Sequence, residues 1–245
     1  MARILITGAA GFIGYHLAKR LAETGNELVL VDDLSRGKRD AAFESLLSPN
    51  VTFIKADLSE RASWEKVGVG FDYVYHLAAV NGTELFYSMP QEVLRVDLMT
   101  SLNAVEWMRE KNPQGKILFT SSSEAYAGAL EAFNRLPFPT PENVPLVVSD
   151  VFNPRWSYGG TKLIGELLFV NYSRAYGFRM SIVRPHNFYG PRAGKMHVIP
   201  EFILRALSKA DPFPVLGLSG ARSFCYIDDA VLGLISVMES EKTDG

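Results

Sequence analysis

The chain has 245 residues, of which 47% are hydrophobic and 21% charged, so it is neither a disordered chain nor a small disulfide-stabilised one. Its formal net charge is -2 and no block of like charge occurs, which argues against nucleic acid as a partner. Cys225 is the only cysteine, and no apolar run approaches the roughly 18 residues that a membrane span needs. We therefore expect a cytoplasmic enzyme that has neither a disulfide nor a membrane partner.

Short apolar runs alternate along the chain with stretches of helical spacing, such as Ile13, Leu17 and Leu21. Runs this short and this apolar are typical of strands buried on both faces. The predicted strands are residues 3–7, 27–32, 51–55, 73–76, 116–120 and 179–184. Repeated β-α-β units predict an α/β fold: a doubly wound parallel sheet of the Rossmann type, with helices on both faces.

Two regions interrupt this alternation. Residues 127–155 hold five prolines and few periodic apolar positions, which predicts a long irregular loop. Beyond Tyr189 the pattern predicts helices at 196–208 and 228–239 and short strands at 213–216 and 223–227. We therefore predict a cofactor-binding domain over residues 1–188. We also predict a small C-terminal substrate-binding cap over 189–245, either minimal or truncated.

A glycine-rich turn follows the first predicted strand and opens the first helix, with Gly8, Gly11 and Gly14 at its three glycine positions. Such glycines let the backbone approach a diphosphate, and the helix N–H groups face the anion. Asp32 ends the second strand, where a carboxylate binds the ribose hydroxyls of NAD and repels the extra phosphate of NADP. The alternatives are NADP held by Arg36 and Lys38, or an ordinary loop without a ligand.

The next strand ends carry further candidates for the cofactor site. Asp57 can reach the adenine amino group, or it can simply cap the following helix. The small Ala78 and Ala79 allow the cofactor to pass close to the backbone. His76 is interpreted as a packed strand-end residue rather than a catalytic one.

Three further side chains complete a catalytic pattern. Ser122 follows the fifth strand, and Tyr158 and Lys162 share one face of the next long helix because they are four residues apart. A lysine ammonium favours the ionised form of a nearby phenol, so Tyr158 can act as a general base while a serine hydroxyl orients the reacting oxygen. Such a spacing often arises by chance on a solvated helix face. Its weight comes from the order of all the motifs together.

In this order the motifs resemble those of the extended short-chain dehydrogenase/reductases, specifically the nucleotide-sugar epimerases and dehydratases. The resemblance implies tightly held NAD, the catalytic set of Ser122, Tyr158 and Lys162, and transient oxidation at C4 of a nucleoside-diphosphate sugar under the cap. The other cofactor residues that it implies are Gly8, Gly11, Phe12, Ile13, Gly14, Asp32, Asp57, Leu58, Leu77, Ala78, Ala79 and Pro185. The substrate contacts that it implies are Ser123, Asn187, Arg192 and Arg222.

The step after C4 oxidation stays open at this point. Glu124 stands where dehydratases and decarboxylases of the family often carry a glutamate near C5, but Ser123 replaces the aspartate that some dehydratases use. An epimerase needs no further acid or base, and Glu124 would then only orient the loop. The leading hypothesis is an epimerase or dehydratase, with a decarboxylase of nucleotide-linked uronic acids as the alternative. A dinucleotide-binding scaffold or redox sensor is the alternative from another class.

The family resemblance also implies a homodimer. The expected contact is a bundle of four helices, formed by the predicted helices 84–111 and 161–176 of two copies. The apolar residues of these helices are equally compatible with packing against the sheet.

Overall fold

A computed structural model describes residues 1–133, 136–215 and 222–245. Within these ranges six parallel strands form one sheet: β1 (Arg3–Thr7), β2 (Glu27–Asp32), β3 (Val51–Lys55), β4 (Tyr73–His76), β5 (Lys116–Thr120) and β6 (Arg179–Val183). Their order is β3-β2-β1-β4-β5-β6, and all adjacent pairs are parallel. The predicted doubly wound sheet is confirmed.

The strands are continuous apolar runs because both faces of the sheet are covered. On β1, Ile4 and Ile6 belong to the core on one face, whereas Leu5 belongs to the core on the other. Side chains alternate between the faces of a strand, so adjacent apolar residues supply two separate cores.

Helices cover both faces. The longer ones are α1 (Phe12–Ala22), α4 (Pro90–Lys111), α5 (Glu124–Phe133), α6 (Trp156–Tyr176), α7 (Val198–Leu207) and α8 (Ile227–Glu239); α2 (Ala41–Glu44) and α3 (Thr83–Ser88) are short. Helices α1 and α8 contribute to the core on one face, and α4 and α6 to the core on the other. None of the described helices is long and apolar enough to cross a lipid bilayer.

The strand order determines where a ligand can bind. The strands β2 and β3 are added on one side of β1, and β4, β5 and β6 on its other side. At this reversal, between β1 and β4, a crevice opens at the carboxyl ends of the strands. The glycine turn, Asp32 and the segment after His76 all follow these strand ends.

Several predicted boundaries were wrong for local reasons. The predicted helix 84–111 is divided into α3 and α4, because the residue before Pro90 is disfavoured in helical conformation and Met89 has φ -142°. The predicted loop 127–155 begins inside α5, since its prolines start only at Pro137 and the preceding residues are alanine-rich. Strand β6 ends at Val183, one residue early, since Pro185 cannot donate to a ladder.

The C-terminal part has a small sheet of its own, in which β7 (Asn187–Tyr189) pairs in parallel with β8 (Phe224–Tyr226). Helices α7 and α8 and strand β8 agree with the prediction within two residues. Residues 213–215 are not a strand, which fits Pro214 among them, and Leu216 lies outside the described residues. Helix α8 packs against α1 with Ala230, Val231 and Leu234 in the main core. The predicted domain boundary after residue 188 stays a prediction. Helix α8 lies beyond that boundary and nevertheless packs into the core of the sheet domain.

Candidate active site

The glycine turn brings three segments of backbone into contact. Gly8 has φ +67°, and a Cβ added to it would lie 2.9 Å from the amide nitrogen of Ala78. A Cβ on Gly14 would lie 2.2 Å from the Gly8 carbonyl oxygen. Helix α1 starts after Gly11 without a side-chain cap, so its first N–H groups are available to an anion. The turn therefore fits the diphosphate of a dinucleotide.

Asp32 is buried at the edge of this turn. Its carboxylate accepts hydrogen bonds from the amides of Ala10, at 3.0 Å, and Leu34, at 2.8 Å. Burial raises the pKa of Asp32, and these backbone hydrogen bonds oppose the rise. The residue therefore fixes the turn as well as offering acceptors to a ribose. The Arg36 guanidinium lies against Gly82, on the segment after β4.

The segment after β4 is fixed by a residue that sequence reasoning missed. Thr7 Oγ1 accepts hydrogen bonds from the amides of Leu77 and Ala78, both at 3.1 Å, and lies 3.0 Å from His76 Nδ1. His76 is buried, and desolvation lowers its pKa to about 3, so it is a neutral packed residue, as interpreted from the sequence. Asp57 lines the pocket and accepts from the Ser59 amide at 2.9 Å within a turn. The helical segment that follows, Arg61–Lys66, has Glu60 as its N-cap and no side-chain cap, so the capping alternative was wrong.

A cleft of about 560 Å³ joins these features and reaches Tyr158 and Lys162; the predicted catalytic residues Ser122 and Glu124 do not line it. The predicted cofactor residues that line it are Gly8, Gly11, Phe12, Ile13, Gly14, Asp32, Asp57, Leu58, Leu77, Ala78, Ala79, Tyr158 and Lys162. Pro185 does not line it; its carbonyl accepts a hydrogen bond from the Ser123 amide at 3.1 Å.

Tyr158, Lys162 and Ser122 lie together at one end of this cleft. Their exposed fractions are 7%, 6% and 9%. The Ser122 hydroxyl lies beside the Tyr158 phenol and acts to lower its pKa, and Lys162 Nζ donates to the Thr120 carbonyl at 2.9 Å. Phe86 stacks on the Tyr158 ring with 5.1 Å between the ring centres. This packing covers one face of the Tyr158 ring and helps to bury it.

Asp97 is a buried carboxylate beside this group that the sequence analysis missed. It accepts from the Val80 amide at 2.6 Å and from Thr161 Oγ1 at 3.1 Å. Burial and the charge of Asp97 raise the pKa of Tyr158, while burial lowers the pKa of Lys162 and Asp97 raises it again. An acidic residue on the buried face of α4, one turn after Val93, was the available sequence signal.

A second buried network, also missed, connects the end of β5 with the end of β6. Glu166 accepts from Ser121 Oγ at 2.6 Å and from two nitrogens of Arg184, at 2.8 and 2.7 Å. Arg184 also donates to the Glu142 carbonyl at 2.8 Å. The network therefore holds the residues on either side of Ser122 and Pro185 in place.

The predicted substrate residues are in different surroundings. Asn187 lies on β7 and donates to the Ser223 carbonyl at 2.9 Å, and Arg222 lies just before β8. Arg192 makes two hydrogen bonds to Asp40, at 2.9 and 2.8 Å, and its guanidinium lies 4.0 Å from the centre of the Tyr15 ring. Arg192 lines the cofactor cleft, and its guanidinium is already paired with Asp40. Its contact with a substrate stays a prediction.

The fold and the cleft define an enzyme of the dinucleotide-binding class. The family described as "NAD dependent epimerase/dehydratase family" matches residues 4–245, and the chain belongs to it. The protein is thus an enzyme with NAD as its cofactor, which the geometry of the glycine turn and Asp32 fits.

Individual proteins extend the comparison. The chain is 31% identical to the UDP-N-acetyl-alpha-D-glucosaminuronate decarboxylase of Bacillus cytotoxicus, over 99% of this chain and 73% of that protein. A UDP-N-acetylglucosamine 4-epimerase from Methanobrevibacter ruminantium, solved with UDP-N-acetylmuramic acid, is 26% identical with a TM-score of 0.85, over 98% of this chain and 74% of the other. A UDP-glucuronic acid 4-epimerase from Bacillus cereus, solved with UDP-glucuronic acid and NAD, is 27% identical with a TM-score of 0.79 over the same shares.

Proposed function

We propose that the protein converts a nucleoside-diphosphate sugar by transient oxidation at C4, with Tyr158, Lys162 and Ser122 as its catalytic residues. The observation that carries the proposal is that Tyr158 and Lys162 lie on one face of α6 and line the end of the dinucleotide cleft, with the Ser122 hydroxyl beside the phenol. The relatives named for UDP-sugar reactions support the substrate class.

The cofactor is held by the turn and by Asp32. Gly8, Gly11 and Gly14 let the diphosphate approach the start of α1, and the Asp32 carboxylate binds the ribose hydroxyls. When bound, NAD supplies a reversible acceptor for the hydride of the sugar carbon.

Side chains of the protein accept and return the proton of the C4 hydroxyl. Tyr158 removes the proton of the C4 hydroxyl, and Ser122 donates a hydrogen bond that orients the oxygen. The ammonium of Lys162 lies 5.4 Å from the centre of the Tyr158 ring and stabilises the phenolate. Phe86 keeps water from the phenol, so the proton stays between substrate and enzyme until it is returned.

Glu124 is the residue by which the next step differs between reactions. A ketone at C4 acidifies the C5 proton, and a carboxylate at this position is a suitable base for loss of water. The Glu124 amide donates to Ser122 Oγ at 3.2 Å, so Glu124 lies at the catalytic end of the site. Decarboxylation of a uronic acid is the second candidate, favoured by the named activity of the Bacillus cytotoxicus relative.

A panel assay distinguishes these reactions. The NAD-loaded protein is incubated with UDP, dTDP, GDP and CDP sugars, uronic acids included, and the products are separated and weighed by mass spectrometry. A new peak of unchanged mass identifies an epimerase, loss of water a dehydratase and loss of carbon dioxide a decarboxylase. If NAD binds and no sugar reacts or binds, the proposal is wrong and a dinucleotide-binding scaffold replaces it.

We also propose that the protein is a cytoplasmic homodimer, with residues 189–245 over the substrate. Helices α4 and α6 pack side by side, and each leaves apolar side chains exposed on its outer face: Leu94, Met99, Ile164 and Leu167. An exposed apolar patch of this kind supports a helical interface between two copies.

A further inference from the structure

Glu124 and Arg155 form an ion pair beside the catalytic residues that proton transfer at Tyr158 does not use. The Arg155 guanidinium donates to Glu124 Oε2 at 3.2 Å and lies 4.8 Å from the centre of the Trp156 ring. The two side chains keep 40% and 36% of their surface exposed. Both charges are therefore accessible to a ligand.

The backbone holds this pair close to the reacting groups. The Glu124 carbonyl faces Gly159, where an added Cβ would meet it at 2.9 Å, and Gly159 directly follows Tyr158. Arg155 directly precedes the first residue of α6, the helix that carries Tyr158. A sugar with its C4 hydroxyl at Tyr158 and its C5 at Glu124 therefore presents C6, which is bonded to C5, to the ion pair.

Arg155 differs from Arg184 and Arg192, two arginines near the strand ends whose guanidinium groups are hydrogen-bonded elsewhere. Arg184 uses two nitrogens on Glu166 and the third on the Glu142 carbonyl. Arg192 binds Asp40 with two hydrogen bonds and Lys38 with another. Arg155 makes one side-chain hydrogen bond among the described contacts, so most of its five N–H donors remain for a ligand.

A carboxylate at C6 would meet the like charge of Glu124 if no cation stood beside it, whereas a neutral hydroxymethyl group would not. A planar guanidinium can bind two carboxylates through separate edges. We propose that Arg155 is a specificity-determining residue that binds the C6 carboxylate of a uronic-acid nucleotide sugar while keeping Glu124 paired. This inference rests on the proposed function and narrows its substrate class to sugars with a carboxylate at C6.

Calorimetric titration of the NAD-loaded protein with UDP-glucuronic acid and with UDP-glucose tests the inference without requiring turnover. Arg155→Gln should weaken the binding of UDP-glucuronic acid by about tenfold or more, the size of a lost hydrogen bond between charged groups, and change that of UDP-glucose by less than about twofold. Arg155→Lys, which keeps the charge, should retain part of the preference. Arg95→Gln removes an exposed arginine paired with Glu92 on α4 and is the matched control, with no expected effect.

The outcomes separate this inference from the proposed function. If the wild type binds UDP-glucose but not UDP-glucuronic acid, or if Arg155→Gln weakens both sugars equally or neither, Arg155 does not select uronic acids and the proposed function stands. If the wild type binds neither these two sugars nor any other nucleotide sugar of the panel, both are wrong. A selective loss for UDP-glucuronic acid that Arg155→Lys partly restores supports the inference.

Discussion

Burial acts in opposite directions on the two ionisable groups of the catalytic helix. It raises the pKa of the Tyr158 phenol and lowers that of the Lys162 ammonium, because desolvation disfavours whichever form is charged. Both shifts favour the neutral phenol and the neutral amine over the phenolate and the ammonium, so ionisation of Tyr158 depends on the charges around it. The neighbouring charges of Asp97, Glu124 and Arg36 then influence the pH at which Tyr158 loses its proton.

Tyr158→Phe removes the phenolic oxygen and leaves the ring that stacks on Phe86. We expect kcat to fall by about 10²- to 10⁴-fold, the usual contribution of a general base. The affinity for NAD should change little, because the glycine turn and Asp32 are untouched. Steady-state assays and NAD titration measure the two effects; turnover at the wild-type rate would exclude Tyr158 as the base.

Asp97→Asn tests the electrostatic role of the buried carboxylate. Its negative charge raises the pKa values of both Tyr158 and Lys162, so its removal should lower both. Tyr158 then loses its proton at lower pH, which moves the acidic limb of kcat/KM to lower pH, and Lys162 does the same for the basic limb. The whole pH profile should therefore move towards acid.

The variant should fold, because an asparagine oxygen can still accept from the Val80 amide and its amide nitrogen can donate to Thr161 Oγ1. A profile that keeps its position would show that Asp97 has no electrostatic effect on the pair. Limbs that move in opposite directions would contradict the common sign of the two shifts.

At the scale of the elements, the glycine turn depends on backbone contact. Gly14→Ala places a Cβ where the Gly8 carbonyl oxygen already lies, so the turn must shift. We expect a destabilisation of about 1–3 kcal/mol, as in overpacking, and a marked loss of NAD affinity. Gly233→Ala in α8 is the control: no atom lies within 4 Å of its added Cβ, and alanine should slightly stabilise the helix. Thermal unfolding and NAD titration compare the two variants, and equal behaviour would contradict the prediction.

The six strands of the main sheet were predictable because each is a short apolar run between polar turns, and the helices that form the cores were predictable from their spacing. Strand β7 was not predicted, because its three residues are too few to give a pattern. Errors arose where a local signal was misread or outweighed. Pro90 divides the predicted helix at 84–111. The proline-rich stretch led to a predicted loop that covered most of α5.

Within the active site, the sequence predicts residues on strand ends and on one helix face, such as Ser122, Tyr158 and Lys162. It does not predict partners that come from distant elements. Asp97 on α4 meets Thr161 on α6, and Glu166 meets Ser121 on β5, across separations that no local pattern encodes. The same holds for the pairing of Arg192 with Asp40.

At the scale of the whole molecule, the proposed dimer can be tested through α6. Leu167→Glu places a charge on the exposed face of the helix, away from the cleft. We expect sedimentation of the wild type at micromolar concentration to show a dimer and the variant to show a monomer, with NAD binding retained in both. Lys19→Glu on α1 is an exposed control on the other face of the sheet. A wild type that sediments only as a monomer would contradict the interface.

The hydroxyl of Thr7 has one proton and two lone pairs. Since the amides of Leu77 and Ala78 occupy both lone pairs, the Thr7 hydroxyl must donate its hydrogen bond to His76 Nδ1. Nδ1 is then the acceptor, and the single N–H of the neutral imidazole is on Nε2. That nitrogen has no hydrogen-bond partner among the described residues, and the ring lies beside those of Phe119 and Phe169, which tolerate a neutral imidazole but not a cation. One tautomer is thus fixed, and this wall of the cofactor cleft keeps a constant charge while the catalytic pair titrates.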